Sequence, residues 1–149
     1  MRETITTALK TALKSGDRLR ASTLRMVNAA IQDRDIANRG AGKEPAGEDE
    51  VLQILTKMVK QRQESAKAFE QGNRPELAAA ENAEIAIISE FLPRQMDEAE
   101  AKAAIAQAIR DTGAAGPRDM GKVMAELKAK HAGSMDFGKA SGWVKDLLT

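Results

Sequence analysis

Few residues of this sequence have the chemistry of a catalytic group. His131 is the only histidine, and it follows Lys128 and Lys130, so it is better explained as a cation at a helix end, where the helix dipole favours positive charge. Ser134 has no second histidine to activate it as a nucleophile. No phosphate-binding glycine loop and no His-Glu-x-x-His motif occurs. The sequence therefore predicts no catalytic residues and no cofactor.

A metal site is the chemistry that clustered acidic residues would support. Glu81, Glu84 and Glu90 lie near one another in the sequence. Di-metal sites in helical bundles also need Glu-x-x-His motifs, and none is present. The chain has no cysteine, which excludes thiolate metal sites and disulfides. We expect no metal, and we predict that these glutamates form a solvated face toward the basic third helix.

Basic residues form the pattern with the clearest functional meaning. Residues 1–43 hold nine Lys and Arg against four Asp and Glu, although the net charge of the whole chain is +1. One basic stripe, at helical spacing, consists of Lys14, Arg18 and Arg25. A second consists of Lys57, Lys60, Gln61 and Lys67, with Gln63 beside it. Such stripes bind phosphate backbones with little sequence preference. The alternative is that these residues only solubilise helices and pair with nearby acids.

The scarcity of aromatic residues restricts the kind of nucleic acid that such stripes would bind. Aromatic residues make up 3% of the chain, so there are no stacking platforms for the bases of a single strand. Any contact is expected to be with the shape and backbone of a folded RNA.

The elements that would position these residues are helices. Apolar residues recur at spacings of three and four, no useful segment alternates as a strand does, and the composition favours helix over sheet. Gly16 is predicted to end the first helix and Asp17 to cap the second. Residues 38–47 are predicted to be a loop, and Pro75 to begin the fourth helix. The apolar face of that fourth helix is predicted to contain Leu77, Ile85, Ile88 and Leu92.

The helices are predicted to form two modules that meet near residues 92–93. The fold class is all-α, with a long-helix hairpin or bundle domain at 1–93 and a small three-helix domain at 94–149. We expect Asp97 and Asp136 to cap the first and last of the three short helices. The predicted core of the small domain consists of Ile105, Ile109, Val123, Met124, Leu127, Val144 and Leu147, with Phe137 and Trp143 adding bulk.

The hydropathy of the chain bears on its location. The first residues form no apolar run of signal-peptide length, and no later segment approaches the roughly 20 apolar residues of a membrane span. We therefore expect a cytoplasmic protein without membrane association. The sequence does not indicate an oligomeric state.

Five short strings resemble those of a known family in their order and spacing. They are LRMVNAAI at 24–31, KMVKQRQES at 57–65, ENAEI at 81–85, FLPRQM at 91–96 and DMGKVM at 119–124. Together they resemble the YqeY family, also called GatB/YqeY domain proteins, over nearly the whole chain. This resemblance implies a long-helix domain followed by a small three-helix domain.

The small domain of that family resembles the tail of the GatB polypeptide of the tRNA-dependent amidotransferase, the enzyme that converts Glu-tRNA(Gln) or Asp-tRNA(Asn) to the amide. That tail touches tRNA, whereas the amide chemistry and the ATP site lie elsewhere in the same polypeptide. The resemblance therefore implies a non-catalytic, tRNA-binding or tRNA-related accessory protein. One alternative is an adaptor that docks on an amidotransferase or aminoacyl-tRNA synthetase component. A carbon–nitrogen ligase activity with glutamine as amido donor rests on family association only.

The candidate nucleic-acid-binding residues come from both modules. They are Lys57, Lys60, Arg62, Lys122, Lys128, Lys130 and Lys139. The family commonly has a Gly-Arg-Ala-Asp-Gly-like turn before its last helix, and this chain departs from it at Ser134 and Phe137. The resemblance then implies a weaker or different RNA contact at this turn. Gly121 is predicted to allow a close approach between helices.

Overall fold

The computed structural model describes residues 1–149 and contains seven α-helices and no strand. The all-α prediction is confirmed. The helices are α1 (Arg2–Ser15), α2 (Arg18–Gly40), α3 (Glu48–Gln71), α4 (Pro75–Ser89), α5 (Glu98–Thr112), α6 (Met120–His131) and α7 (Phe137–Leu148). A single 3-10 turn, Pro117–Asp119, precedes α6.

The chain divides into two compact units, Met1–Pro93 and Arg94–Thr149. The first contains the long helices α1–α4, and the second contains the shorter α5–α7. Each unit has a hydrophobic core of its own, built from different residues. A helical bundle is thus followed by a three-helix group, as the fold-class prediction states.

The turn between α1 and α2 follows the predicted chemistry. Gly16 has a left-handed backbone with φ of 75°, which residues with a side chain rarely adopt. The Asp17 carboxylate accepts a hydrogen bond of 3.1 Å from the backbone N–H of Arg20 and so caps α2. The end of α2 differs from the prediction, because the helix continues through Gly40. Asn38 is buried, and its side chain donates to Glu50 at 3.1 Å, which holds the last turn in place.

The core of the first unit is aliphatic. Its buried side chains are Ile5, Leu24, Val27, Ile31, Ala46, Val51, Ile54, Leu55, Met58 and Ile88. The predicted face of α4 is shifted by one residue at its start, where Leu77 is 40% exposed and Ala78 is buried. Both residues are apolar, so the sequence pattern alone does not select between them.

The core of the second unit lies between α5, α6 and α7. A capping box starts α5, because the Asp97 carboxylate accepts from the Glu100 N–H at 2.7 Å and Glu100 reaches back to the Asp97 N–H. The buried residues are Ala101, Ile105, Ala108, Val123, Leu127, Met135, Ala140, Val144 and Leu148. The inclusion of Leu147 in this core was wrong, since it is 54% exposed and Leu148 takes the inward position.

Asp35 connects the start of α1 to the loop before α3, and it should make stability depend on pH. Its carboxylate accepts hydrogen bonds from Arg2 at 2.9 and 2.5 Å and from the Ala46 N–H at 2.8 Å. These bonds, first from Arg2 and then from Ala46, lower the pKa of Asp35 from 3.8 to about 2.

Because the folded state lowers this pKa, the unfolded chain binds more protons between the two values. The stabilisation is complete above the ordinary pKa and is lost as pH falls toward the folded value. We expect urea unfolding of Asp35→Asn at a series of acidic pH values to show a flatter dependence, equivalent to about one proton fewer taken up on unfolding. Asp33→Asn is the control because that side chain makes no ion pair. An unchanged slope in Asp35→Asn would contradict the assignment.

Candidate nucleic-acid interface

The exposed face of α3 brings together the basic residues of the second predicted stripe. With about 100° of rotation per residue, Lys57, Lys60 and Lys67 lie on the side that also contains Gln53 and Glu64. All five side chains are exposed. Asp49, in the first turn of α3, lies on the same side, so three lysines against two acids leave this face net positive by one charge. Lys57 and Lys67 make no ion pair, so their charges are available to an outside anion.

A groove between α2 and α3 runs beside this face. Its volume is about 540 Å³, and Lys57 and Gln61 line it from α3. On the α2 side it is lined by Asp33 and Arg34, and the Arg34 guanidinium contacts Glu50 at 3.4 Å. The groove therefore presents ammonium and amide donors suited to phosphate or ribose oxygens, with one carboxylate opposite them.

Arg62 has a different role from the predicted phosphate contact. Its Nε donates to the Glu84 carboxylate at 3.0 Å, and its Nη1 donates to the Met58 carbonyl at 3.2 Å. The two charged side chains are only 14% and 22% exposed. Arg62 thus connects α3 to α4 inside the first unit, and this geometry does not support a contact with RNA.

Two of the three glutamates that the sequence singled out form ion pairs within the first unit. Glu84 pairs with Arg62 of α3 and Glu90 pairs with Arg20 of α2. Glu84 therefore faces the third helix as predicted, but it is not on a solvated face, and Glu90 faces α2 and not α3.

Two of the predicted lysines of the second unit form ion pairs with acids of the same unit. Lys130 contacts Glu126 at 2.7 Å and Asp111 at 3.3 Å, and these two hydrogen bonds, that of Glu126 first, raise the pKa of Lys130. Lys122 lies 3.8 Å from Asp119. Only Lys128 of α6 is exposed without an ion pair.

Lys139 lies in an acidic environment. It lines a groove of about 670 Å³ together with Glu98, Asp136 and Asp146, beside the Trp143 ring. Three carboxylates and one ammonium line this groove, and Lys102, which lies over the Trp143 ring, pairs with Glu98 at 3.0 Å. Lys139 therefore has acidic neighbours, which weaken its attraction for a phosphate.

The turn that departs from the family pattern is held by its own hydrogen bonds. Gly133 has φ of 79°, and its carbonyl accepts from the Gln95 side chain at 2.6 Å. The Ser134 hydroxyl donates to the His131 carbonyl at 3.0 Å, and the Ser134 carbonyl accepts from the Met96 N–H at 2.8 Å. Ser134 therefore stabilises the turn. Asp136 caps α7 as predicted, accepting from two backbone N–H groups.

His131 and Gly121, for which the sequence led to specific expectations, both lie on α6. His131 is the last residue of α6, as expected for a cation at a helix end. Gly121 is exposed on α6, and a Cβ placed there would meet open space. The prediction of a close helix approach at Gly121 was wrong, because no neighbour lies above it.

A second basic surface, on α1 and α2, has more unpaired cations than the candidate nucleic-acid-binding residues indicated. Lys10 and Lys14 of α1 and Arg18 and Arg25 of α2 make no ion pair with any acid. The signal was visible in the basic excess of residues 1–43, but burial and pairing had to be known before these four cations could be distinguished from paired ones.

No group of three or more His, Cys, Asp or Glu is arranged to hold a metal ion. No helix combines the length and the apolar run that crossing a membrane requires.

Comparison with known proteins places the chain in a family. It is 36% identical over 93 residues to "Altered inheritance of mitochondria protein 41, mitochondrial" of Clavispora lusitaniae, a match that covers 60% of this chain and 52% of the relative. The chain thus spans about half the length of the curated relative that it matches. The family model described as Yqey-like protein matches residues 2–148. Since that match covers nearly the whole chain, this protein belongs to the YqeY-like family.

Proposed function

We propose that this protein is a non-catalytic accessory protein that binds tRNA through the exposed face of α3. The observation that carries the proposal is the row of Lys57, Lys60 and Lys67 beside a polar groove, with Lys57 and Lys67 free of acidic partners. The proposal includes no reaction step for this chain.

Charge, shape and family support this proposal together. Lysines spaced along one helix face can contact several backbone phosphates, and the glutamine side chains near them can both donate and accept hydrogen bonds. The face lacks aromatic residues, which suits a double-helical or folded RNA better than a single strand. The resemblance of the family's small domain to a tRNA-contacting tail points to tRNA among folded RNAs.

The test is a titration of fluorescently labelled tRNA with the wild-type protein at several salt concentrations. Binding should weaken steeply as salt rises, because lysine contacts release counterions from the phosphates. In the double variant Lys57→Gln/Lys67→Gln, the slope of log affinity against log salt should fall by about 2, roughly one for each lost phosphate contact.

A charge-matched control separates a site from general attraction. Lys43→Gln/Lys145→Gln also removes two exposed lysines that make no ion pair, and it should leave the slope nearly unchanged. Equal losses in both double variants would show that α3 is not the binding face. Absence of any salt-sensitive tRNA binding by the wild-type protein would reject the proposed function itself.

A further inference from the structure

The junction of α1 and α2 forms a groove that the RNA proposal does not use. Its volume is about 520 Å³, and its α1 side contains Ala12 and Leu13. Its α2 side contains Arg18, Ala21 and Arg25. Grooves of this size accommodate side chains of a partner or a small ligand. Alanines form its floor, so a partner's side chains can approach the two helix backbones closely.

The net charge of this groove is positive. Arg18 and Arg25 are exposed and make no ion pair, and Lys14 lies in the last turn of α1 without one. The only acid in the groove is Asp17, so its two arginines leave the groove net positive. A neutral or basic partner would leave this positive charge unpaired, whereas an acidic partner would neutralise it.

Exposed apolar side chains lie in the groove and near it, and of these only Leu13 lines the groove itself. Leu13 is 48% exposed on the α1 side, and α2 exposes Leu19 and Met26, at 45% and 37%. At about 100° per residue, Arg18 and Arg25 lie along one line of α2, with Ala21 on one side of that line and Leu19 and Met26 on the other. The chain exposes six large apolar side chains in all, so half of them lie within residues 13–26. A phosphate backbone would gain nothing from these side chains.

We propose that this groove docks an acidic amphipathic helix of another protein. The apolar face of that helix packs on Leu13 and the alanine floor, and its carboxylates pair with Arg18 and Arg25. Helix-in-groove recognition uses apolar anchors at spacings of three, four and seven residues. The basic and apolar positions along α2 are complementary to a helix that carries acidic and apolar residues.

The docking groove is distinct from the RNA-binding face. Along α2 the two grooves are centred near Ser22 and Arg34, about 18 Å apart at 1.5 Å per residue. No residue lines both grooves. The two proposals can therefore be tested separately with variants of one groove at a time.

The test is a selection from a display library of helical peptides, with the wild-type protein as bait and Arg18→Gln/Arg25→Gln as the counter-selection bait. The recovered peptides should be acidic, with apolar residues at helical spacing. A synthetic copy of the most enriched peptide should bind Arg18→Gln/Arg25→Gln about tenfold more weakly than wild type, since two exposed ion pairs are lost. Leu13→Ser should weaken binding by a similar factor through the lost apolar contact.

The variants of the α3 face provide the matched control. Lys57→Gln/Lys67→Gln should bind the peptide as wild type does, and helical circular dichroism should show that every variant is folded. Recovery of no peptide, or of peptides that are not acidic, would overturn the proposal. Loss of tRNA binding in Arg18→Gln/Arg25→Gln without loss of peptide binding would also overturn it, since the groove would then serve RNA. Failure of tRNA binding in the wild-type protein leaves this result unaffected and rejects only the proposed function.

Discussion

Leu127→Ala should unfold the second unit more readily than any surface change in the same unit. Leu127 is fully buried among α5, α6 and α7. Truncating such a leucine removes apolar contacts and leaves a cavity, at a cost of about 2 to 5 kcal/mol. A unit of this size is expected to be stable by only about 3 to 8 kcal/mol. The variant should therefore lose at least a quarter of the unit's stability, and at the upper end of the loss the unit should unfold.

The chain itself contains a convenient reporter and a matched control for this prediction. Trp143 is the only tryptophan and lies in the second unit, so its fluorescence during urea unfolding follows that unit. Leu147→Ala makes the same chemical change at a side chain that is 54% exposed, and it should alter stability by no more than about 0.5 kcal/mol. Equal losses in the two variants would contradict the assignment of Leu127 to the core.

Arg62→Met should destabilise the first unit and leave intact the tRNA binding that we propose for α3. Glu84 is 22% exposed and receives the Arg62 Nε at 3.0 Å. Removing the arginine leaves a largely desolvated carboxylate without its charged donor, at a cost of about 1 to 3 kcal/mol. Urea unfolding followed by circular dichroism measures the loss. A double-mutant cycle with Glu84→Leu should show a coupling of about 1 kcal/mol or more, because the two groups interact directly.

Lys67→Met is the control for Arg62→Met, because it removes an exposed and unpaired cation from the same helix. We expect Lys67→Met to change stability by about 0.5 kcal/mol or less and to weaken tRNA binding. Arg62→Met should thus lower stability without weakening binding, and Lys67→Met should weaken binding without lowering stability. If Arg62→Met instead weakened tRNA binding at unchanged stability, Arg62 would belong to the interface after all.

Local chemistry explains why much of the fold could be predicted. Asp17, Asp97 and Asp136 each cap a helix, and Gly16 ends one, because these roles depend on a side chain and its nearest backbone neighbours. The apolar spacing of three and four residues and the low aromatic content indicated an all-α chain, because both reflect the preferences of single residues and their near neighbours.

Predictions about adjacent residues were less successful. The pairs Leu77/Ala78 and Leu147/Leu148 are both apolar, and only the packing of neighbouring helices decides which member is buried. The prediction for Gly121 likewise depended on whether another helix lies against that position, and none does.

The sequence by itself determined the helices, their caps and the net charge of each segment, since all of these depend on residues close together in the chain. Only the tertiary structure decided which charges remain available to a partner. Arg62 pairs with Glu84 and Lys130 pairs with Asp111, and in each pair the two residues are about 20 positions apart in the sequence. Lys57 meets no such partner. Free and paired lysines and arginines look alike in a sequence, because pairing depends on distances that are set when the helices pack.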